Sequence, residues 1–239
     1  MITLYSGTPG SGKSLHLIKV ILRNLSYGRE VICNFPITFT KAEIEKGYDK
    51  RFFYKTNDEI TVNSLLEFAI DHDYFEKKKE SQCVVIIDEA GGRFNSRDYS
   101  SKDRSQWIDF FSQHRKAGFD FILVAQQDRM IDRQIRGFVE TEKVHRKTNN
   151  FGPFKYLRKP LFVCIENWYV AKQRVGAEYF FFKKKVADRY DSYRMFEGFK
   201  MSPELLAKIE ARKNGNQETK LDISDSNINA VYSDEKQAS

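Results

Sequence analysis

The chain is poor in cysteine, proline and tryptophan, with three, five and two of them in 239 residues. The cysteines, Cys33, Cys83 and Cys164, are odd in number and far apart. They support neither a disulfide framework nor a Cys-x-x-Cys metal site, and a reducing, cytoplasmic setting is the simplest expectation. Low proline content with 41% hydrophobic residues excludes collagen-like and low-complexity chains. No window offers 18 uncharged apolar residues: the best run, Leu161 to Val170, carries Glu166, so no transmembrane segment is expected. The opening MITLYSGTPG has no basic stretch ahead of an apolar one, so no secretory signal is expected.

What the chain does have is positive charge, a net +7 that is unevenly placed. Residues 141–200 hold 14 Lys or Arg against 6 Asp or Glu, whereas residues 213–239 hold 3 against 5. Such a basic field suits DNA or an anionic membrane surface as a partner. Residues 213–239 are also polar and poor in apolar side chains, so they read as a disordered tail.

The opening residues read as a strand, Ile2 to Ser6, a glycine loop, and a helix from Lys13 to Leu25 with Leu15, Ile18, Leu22 and Leu25 at helical spacing. Further strands are predicted over Glu30 to Phe35, Phe52 to Tyr54, Cys83 to Ile87 and Phe119 to Ala125. Helices are predicted over Val62 to Phe75, Trp107 to Arg115 and Ile131 to Phe138. Runs as continuously apolar as Cys83 to Ile87 belong to a parallel sheet covered on both faces. The alternation defines an α/β class with a mostly parallel sheet flanked by helices. We divide the chain into a core, 1–150, an aromatic and basic β-rich extension, 151–212, and the tail, 213–239. In the extension, strands are expected over Phe162 to Val170 and Glu178 to Phe182, with Trp168 and at least half of Tyr179 to Phe182 in the core, and a helix over Pro203 to Arg212.

Residues 7–14 read Gly-Thr-Pro-Gly-Ser-Gly-Lys-Ser, a complete G-x-x-x-x-G-K-[ST] phosphate-binding loop placed between a strand and a helix. At ordinary glycine usage, a chance match in such a chain is on the order of one in a hundred. Gly7, Thr8, Pro9, Gly10, Ser11, Gly12, Lys13, Ser14 and Leu15 are therefore the candidate ATP-binding residues. Their backbone N–H groups and the following helix end would meet phosphate oxygens. Lys13 would face the β- and γ-phosphates, and Ser14 would offer its hydroxyl to Mg²⁺. Asp88, ending the strand Cys83 to Ile87, is the second Mg²⁺ candidate, and Glu89 is the candidate base for the attacking water. Gln126, ending the next buried strand, is the candidate γ-phosphate sensor. Arg115, Arg129, Arg133 and Arg136 are candidates for a charge-stabilising finger from a neighbouring subunit.

With Phe110 to Asp120 (FFSQHRKAGFD), Gln126 and Ile135-Arg136 added to these motifs, the chain resembles the zonula occludens toxin (Zot) family over about residues 1–195. These are the filamentous-phage assembly ATPases and their relatives. Tyr190-Asp191-Ser192-Tyr193 looks like that family's closing motif. The resemblance implies a RecA-like P-loop NTPase fold of the FtsK/HerA type, ATP as fuel, and a role in virion extrusion at the inner membrane. It further implies a ring homo-oligomer, six subunits by expectation, with phage assembly or membrane proteins as partners, and places Arg115 and Arg136 first among the arginines. The family's assembly proteins continue into a transmembrane helix and an outer domain, and this sequence shows neither. Two other readings stay open on the residues: a nucleotide or small-molecule kinase, for which Arg93 to Arg104 resembles a lid, and a non-hydrolytic nucleotide-dependent binding module that uses bound ATP to order residues 91–106 and expose a protein or DNA surface. Separately, Gly91 to Ser105, polar and glycine-punctuated, reads as a loop that moves with the γ-phosphate.

Overall fold

The computed structural model describes residues 1–95, 101–148 and 157–190. The chain divides into two compact units, Met1–Met195 and Phe196–Ser239, and the described residues all belong to the first. The expected helix over 203–212, the tail over 213–239 and Asp191 to Tyr193 lie outside the described residues.

Among the described residues, eight strands form one sheet: β1 (Ile2–Ser6), β2 (Glu30–Cys33), β3 (Phe52–Tyr54), β4 (Cys83–Ile87), β5 (Phe119–Val124), β6 (Thr141–Lys147), β7 (Leu161–Trp168) and β8 (Gln173–Phe181). Their order is β3-β2-β4-β5-β1-β6-β7-β8. Neighbours from β3 through β6 pair in parallel, and β7 and β8 close the far edge antiparallel. The helices are α1 (Lys13–Ser26), α2 (Lys41–Glu45), α3 (Val62–Asp71), α4 (Tyr74–Lys77), α5 (Ala90–Arg93), α6 (Ser101–Gln113), α7 (Arg133–Arg136) and α8 (Lys184–Ala187).

The period-two alternation of β4 accounts for the layering. Val84 and Ile86 face a cluster holding Leu17, Ile21 and Leu25 of α1. Cys83, Val85 and Ile87 face the opposite cluster, with Leu65 of α3 and Trp107 and Phe111 of α6. All five β4 residues are buried, and each large aliphatic side chain so covered contributes about 1.5–3 kcal/mol of hydrophobic stabilisation. Such a strand can survive only between two helical layers, and its carboxyl end is thereby held rigidly.

Several sequence expectations change in the structure. The helix over Val62 to Phe75 breaks at His72-Asp73, where Asp73 takes a φ of 59° and starts the separate turn of α4. The strand β6 was not foreseen because its sequence, TEKVHRK, is mostly polar; it forms through backbone pairing with β1 and β7. Trp168, at the end of β7, is 57% exposed, and of Tyr179 to Phe182 only Phe180 is buried, β8 being an edge strand that is exposed along most of its length. Within Gly91 to Ser105, expected to be a loop, helix α5 runs to Arg93 and α6 begins at Ser101, while 96–100 lie outside the described residues.

Candidate nucleotide site

The glycine loop leaves the carboxyl end of β1 and delivers the chain into α1. Gly7, Gly10 and Gly12 take φ values of 142°, 73° and 93°, the left-handed side of backbone space that other residues avoid. Two of them are also sterically fixed. A Cβ on Gly7 would sit 2.5 Å from the His145 carbonyl oxygen, and one on Gly12 would sit 2.8 Å from the Phe162 ring. The loop therefore rests on β6 and β7, which explains why the antiparallel extension belongs to the site.

The loop has the marks of an anion cradle. The Ser11 hydroxyl is buried and has no hydrogen-bond partner among the described residues. The Lys13 ammonium folds back to donate to the carbonyls of Gly7, at 2.7 Å, and Thr8, at 3.3 Å. Burial pulls its pKa down, while Asp88 and Glu89 push it up. An ammonium satisfied only by two carbonyls can swing to phosphate oxygens at little cost.

Asp88 and Glu89 follow β4. Asn34, just after β2, clamps that turn from both sides: its Oδ1 accepts the Asp88 N–H at 2.8 Å and its Nδ2 donates to the Asp88 carbonyl at 2.8 Å. Burial raises the Asp88 pKa, opposed by the Glu89 N–H, which donates to its Oδ1 at 2.9 Å. Glu89 adopts a left-handed φ of 53°, a strained conformation for a residue with a Cβ, and its side chain stands exposed. Two residues past the end of the adjacent β5 lies Gln126, whose carbonyl accepts the Gly7 N–H at 3.2 Å. In the strand order β4-β5-β1, Gln126 lies between the acidic pair and the glycine loop, and it borders a cavity of about 380 Å³ shared with Gly7 and Thr8.

A further residue reaches the site from the end of the described chain. The Tyr190 hydroxyl donates to Asp88 Oδ2 at 3.3 Å and is also hydrogen-bonded to Ser14. Its ring meets Phe35 edge-on, and its backbone bridges Ile37. The preceding Arg189 forks onto both carboxylate oxygens of Glu43 at 2.8 and 2.9 Å. Burial pushes the Tyr190 phenol well above its ordinary pKa, so it remains a neutral donor. Sequence reading missed the roles of Asn34 and Tyr190; Asn34 carries no local signal, and Tyr190 was marked only as part of a motif.

The arginines are placed differently. Arg115 pairs with Glu140 at 2.6 Å, and Glu140 in turn accepts the Ile2 N–H. It thus lies at the amino end of β1, roughly 14 Å from the loop by strand rise. Arg136 faces Asp128 at 3.7 Å, and Asp128 borders the cavity beside Gln126. Arg129 lines that cavity directly, and Arg133 opens α7. Of the supposed lid, Arg104 is tied to the buried Asp132 at 3.0 Å, and Arg93 reaches the Ile60 carbonyl at 3.5 Å.

A parallel sheet between helical layers, with a glycine loop after one strand and an acidic pair after a strand two places away, defines a RecA-like P-loop NTPase domain. Two solved structures share that fold at low sequence identity. A DnaB-like replicative helicase matches with a TM-score of 0.53 at 14% identity, over 77% of this chain and 56% of that one. A second structure, an isolated ATPase domain, matches with a TM-score of 0.50 at 12% identity, over 77% of this chain and 82% of that one.

The chain belongs to the zonular occludens toxin (Zot) family, whose model matches residues 1–195. Among curated proteins it is similar to the Gene 1 protein of Enterobacteria phage I2-2, 29% identical over 136 residues. That match covers 56% of this chain and 37% of the relative, so the chain spans well under half of that protein's length. No helix among the described residues is long and apolar enough to cross a membrane.

Proposed function

We propose that this chain is the Mg²⁺-dependent ATP-hydrolysing motor domain of a phage or mobile element, driving virion assembly and extrusion or DNA translocation. The observation that supports this best is the convergence of Lys13, Ser14, Asp88 and Glu89 at the carboxyl ends of β1 and β4, with Gln126 between them.

The loop amides from Gly7 to Leu15 and the Lys13 ammonium would hold the phosphates, and the orphan Ser11 hydroxyl and the fixed glycine backbone fit that task. Ser14 and Asp88 would hold Mg²⁺, which neutralises phosphate charge when bound. The donor set fits, since a hydroxyl and one carboxylate leave the remaining positions to water and phosphate. Tyr190 must then give up its bonds to Asp88 and Ser14, so nucleotide loading and the docking of residues 188–190 compete. Glu89, exposed on its strained turn, would take the proton of the attacking water, and Gln126 would report the γ-phosphate. Arg115 and Arg136 are the candidates for a neighbouring subunit's finger in a ring of the hexameric kind, each released from its present carboxylate partner.

The kinase reading is weaker because Arg93 and Arg104 are engaged away from the loop and Glu89 faces solvent, where it activates water instead of excluding it. For DNA, exposed Arg146, Lys147, Lys172, Arg174 and Lys183 to Lys185 give the described residues within 141–200 an accessible positive surface. We read 1–150 as the catalytic core, 151–212 as its extension and 213–239 as a tail, acting in the cytoplasm with phage assembly or membrane proteins.

The test is phosphate release from ATP with and without single- or double-stranded DNA, beside size measurement with nucleotide. A DNA-stimulated rate and nucleotide-dependent assembly are expected. A strict monomer under all conditions would remove the trans-acting arginine, and indifference to DNA would leave a protein or membrane partner as the trigger.

A further inference from the structure

Behind the glycine loop, on the side away from Asp88, three buried ligand-bearing side chains converge from three elements. His16 lies on α1, His145 on β6 and Cys164 on β7, directly opposite His145 in the strand register. They are 2%, 1% and 3% exposed, and their nearest nitrogen and sulfur atoms all lie within 4.8 Å of one another. The nucleotide site uses none of them.

The two histidines are hydrogen-bonded to each other. His16 Nδ1 and His145 Nε2 are 2.7 Å apart. On their outer sides, His16 Nε2 faces a Glu178 carboxylate oxygen at 3.5 Å, and His145 Nδ1 faces the Ser6 carbonyl oxygen at 3.3 Å. Both outer partners only accept. Two neutral imidazoles bring two N–H protons, one for the bond within the pair and one for the Ser6 carbonyl, which leaves His16 Nε2 as a bare lone pair toward the half-exposed Glu178 carboxylate. When both outer nitrogens carry theirs, the inner nitrogens present two lone pairs to each other, beside the Cys164 sulfur. A metal ion between the inner nitrogens would let both outer nitrogens keep their protons and donate outward.

We propose that His16, His145 and Cys164 form a binding site for a borderline transition-metal ion of the zinc class, with Glu178 and the Ser6 carbonyl orienting the two imidazoles from outside. Two nitrogens and a thiolate are the donors such ions select over Mg²⁺. A carboxylate behind a ligating histidine is the recurring outer partner of zinc sites. Metal–nitrogen bonds of about 2.0–2.1 Å at a tetrahedral angle require the nitrogens to be about 3.3 Å apart, so the pair must open by only about 0.6 Å. The ion would displace the thiol proton, releasing it to solvent as the thiolate ligates. Bound there, it would tie α1, whose first turn carries Lys13 and Ser14, to the antiparallel strands on which the glycine loop rests.

Co²⁺ is the probe, titrated into reduced, chelator-washed protein. The expected result is one equivalent bound, with a near-ultraviolet thiolate-to-cobalt charge-transfer band and a rise in melting temperature; Zn²⁺ displaces the Co²⁺ and its band, and a chelator reverses all three. Cys164→Ser should abolish the band, and Glu178→Gln should weaken binding about 10–100-fold. His145→Gln should weaken it further while its metal-free melting curve confirms a folded chain. Absence of the band, its persistence in Cys164→Ser, or equal affinity in His145→Gln would each overturn the site and leave a proton-sharing histidine pair. Loss of the band in Asp88→Asn would assign the ion to the nucleotide site and overturn it equally.

Discussion

Tyr190→Phe removes one oxygen atom from the site and leaves the ring against Phe35 and the backbone bridge to Ile37 in place. The hydroxyl now stands on Asp88 Oδ2 at 3.3 Å and on Ser14, the two groups proposed to hold Mg²⁺. A hydrogen bond to a charged acceptor contributes about 1.5–3 kcal/mol, and the length of this one argues for the lower end. If metal-nucleotide must displace it, its removal should tighten Mg·ADP binding by that amount, roughly tenfold. The same loss should destabilise the nucleotide-free protein and lower its melting temperature by about 3–6 °C, at 2–4 °C per kcal/mol for a domain of this size. Calorimetric titration of Mg·ADP into both proteins, with melting curves beside it, reads both effects. Unchanged or weaker Mg·ADP binding in Tyr190→Phe would refute the competition and make the hydroxyl a supporting part of the loaded site.

Three further outcomes follow from the same geometry. Glu89→Gln should bind ATP normally but release phosphate about 10²–10⁴-fold more slowly in single-turnover assays, and an undiminished rate would move the base elsewhere. Gly12→Ala forces a Cβ to 2.8 Å from Phe162 at a φ of 93°, so it should cost about 2–4 kcal/mol, with partial rescue of the melting temperature by Phe162→Leu. Burial raises the Asp88 pKa in the folded state, so folding favours the protonated form there. That contribution to stability is fully present below the unfolded pKa near 3.8 and is lost as pH rises through the folded value. Asp88→Asn should therefore melt at a higher temperature than the parent at pH 7 without nucleotide, with the gap shrinking toward pH 4; a lower melting temperature at pH 7 would contradict this.

The parts legible in the sequence were those whose chemistry is local. The strand Ile2 to Ser6, the loop and the start of α1 at Lys13 are fixed by adjacent residues, and the structure reproduces all three. Cys83 to Ile87 announced a two-sided strand because five apolar residues in a row fit little else. The parts that escaped depend on contacts distant in the chain. Thr141–Lys147 becomes a strand only because β1 offers it a free edge. Tyr190 reaches Asp88 across 102 residues, through a backbone bridge and an arginine fork that no spacing rule encodes. Likewise His16, His145 and Cys164 share no motif, and only sheet register and the face of α1 bring them together.

The central claim is that the loop holding Lys13 and the pair Asp88-Glu89 hydrolyse ATP with Mg²⁺. Its most direct test is steady-state phosphate release by the parent and Lys13→Ala, with Mg²⁺ and with a chelator. Among the described residues the ammonium donates to the Gly7 and Thr8 carbonyls alone, so its removal should leave the fold and its melting temperature nearly unchanged. Release that requires Mg²⁺ and disappears in a folded Lys13→Ala protein is the predicted result. Equal turnover by the parent and the variant would contradict the account.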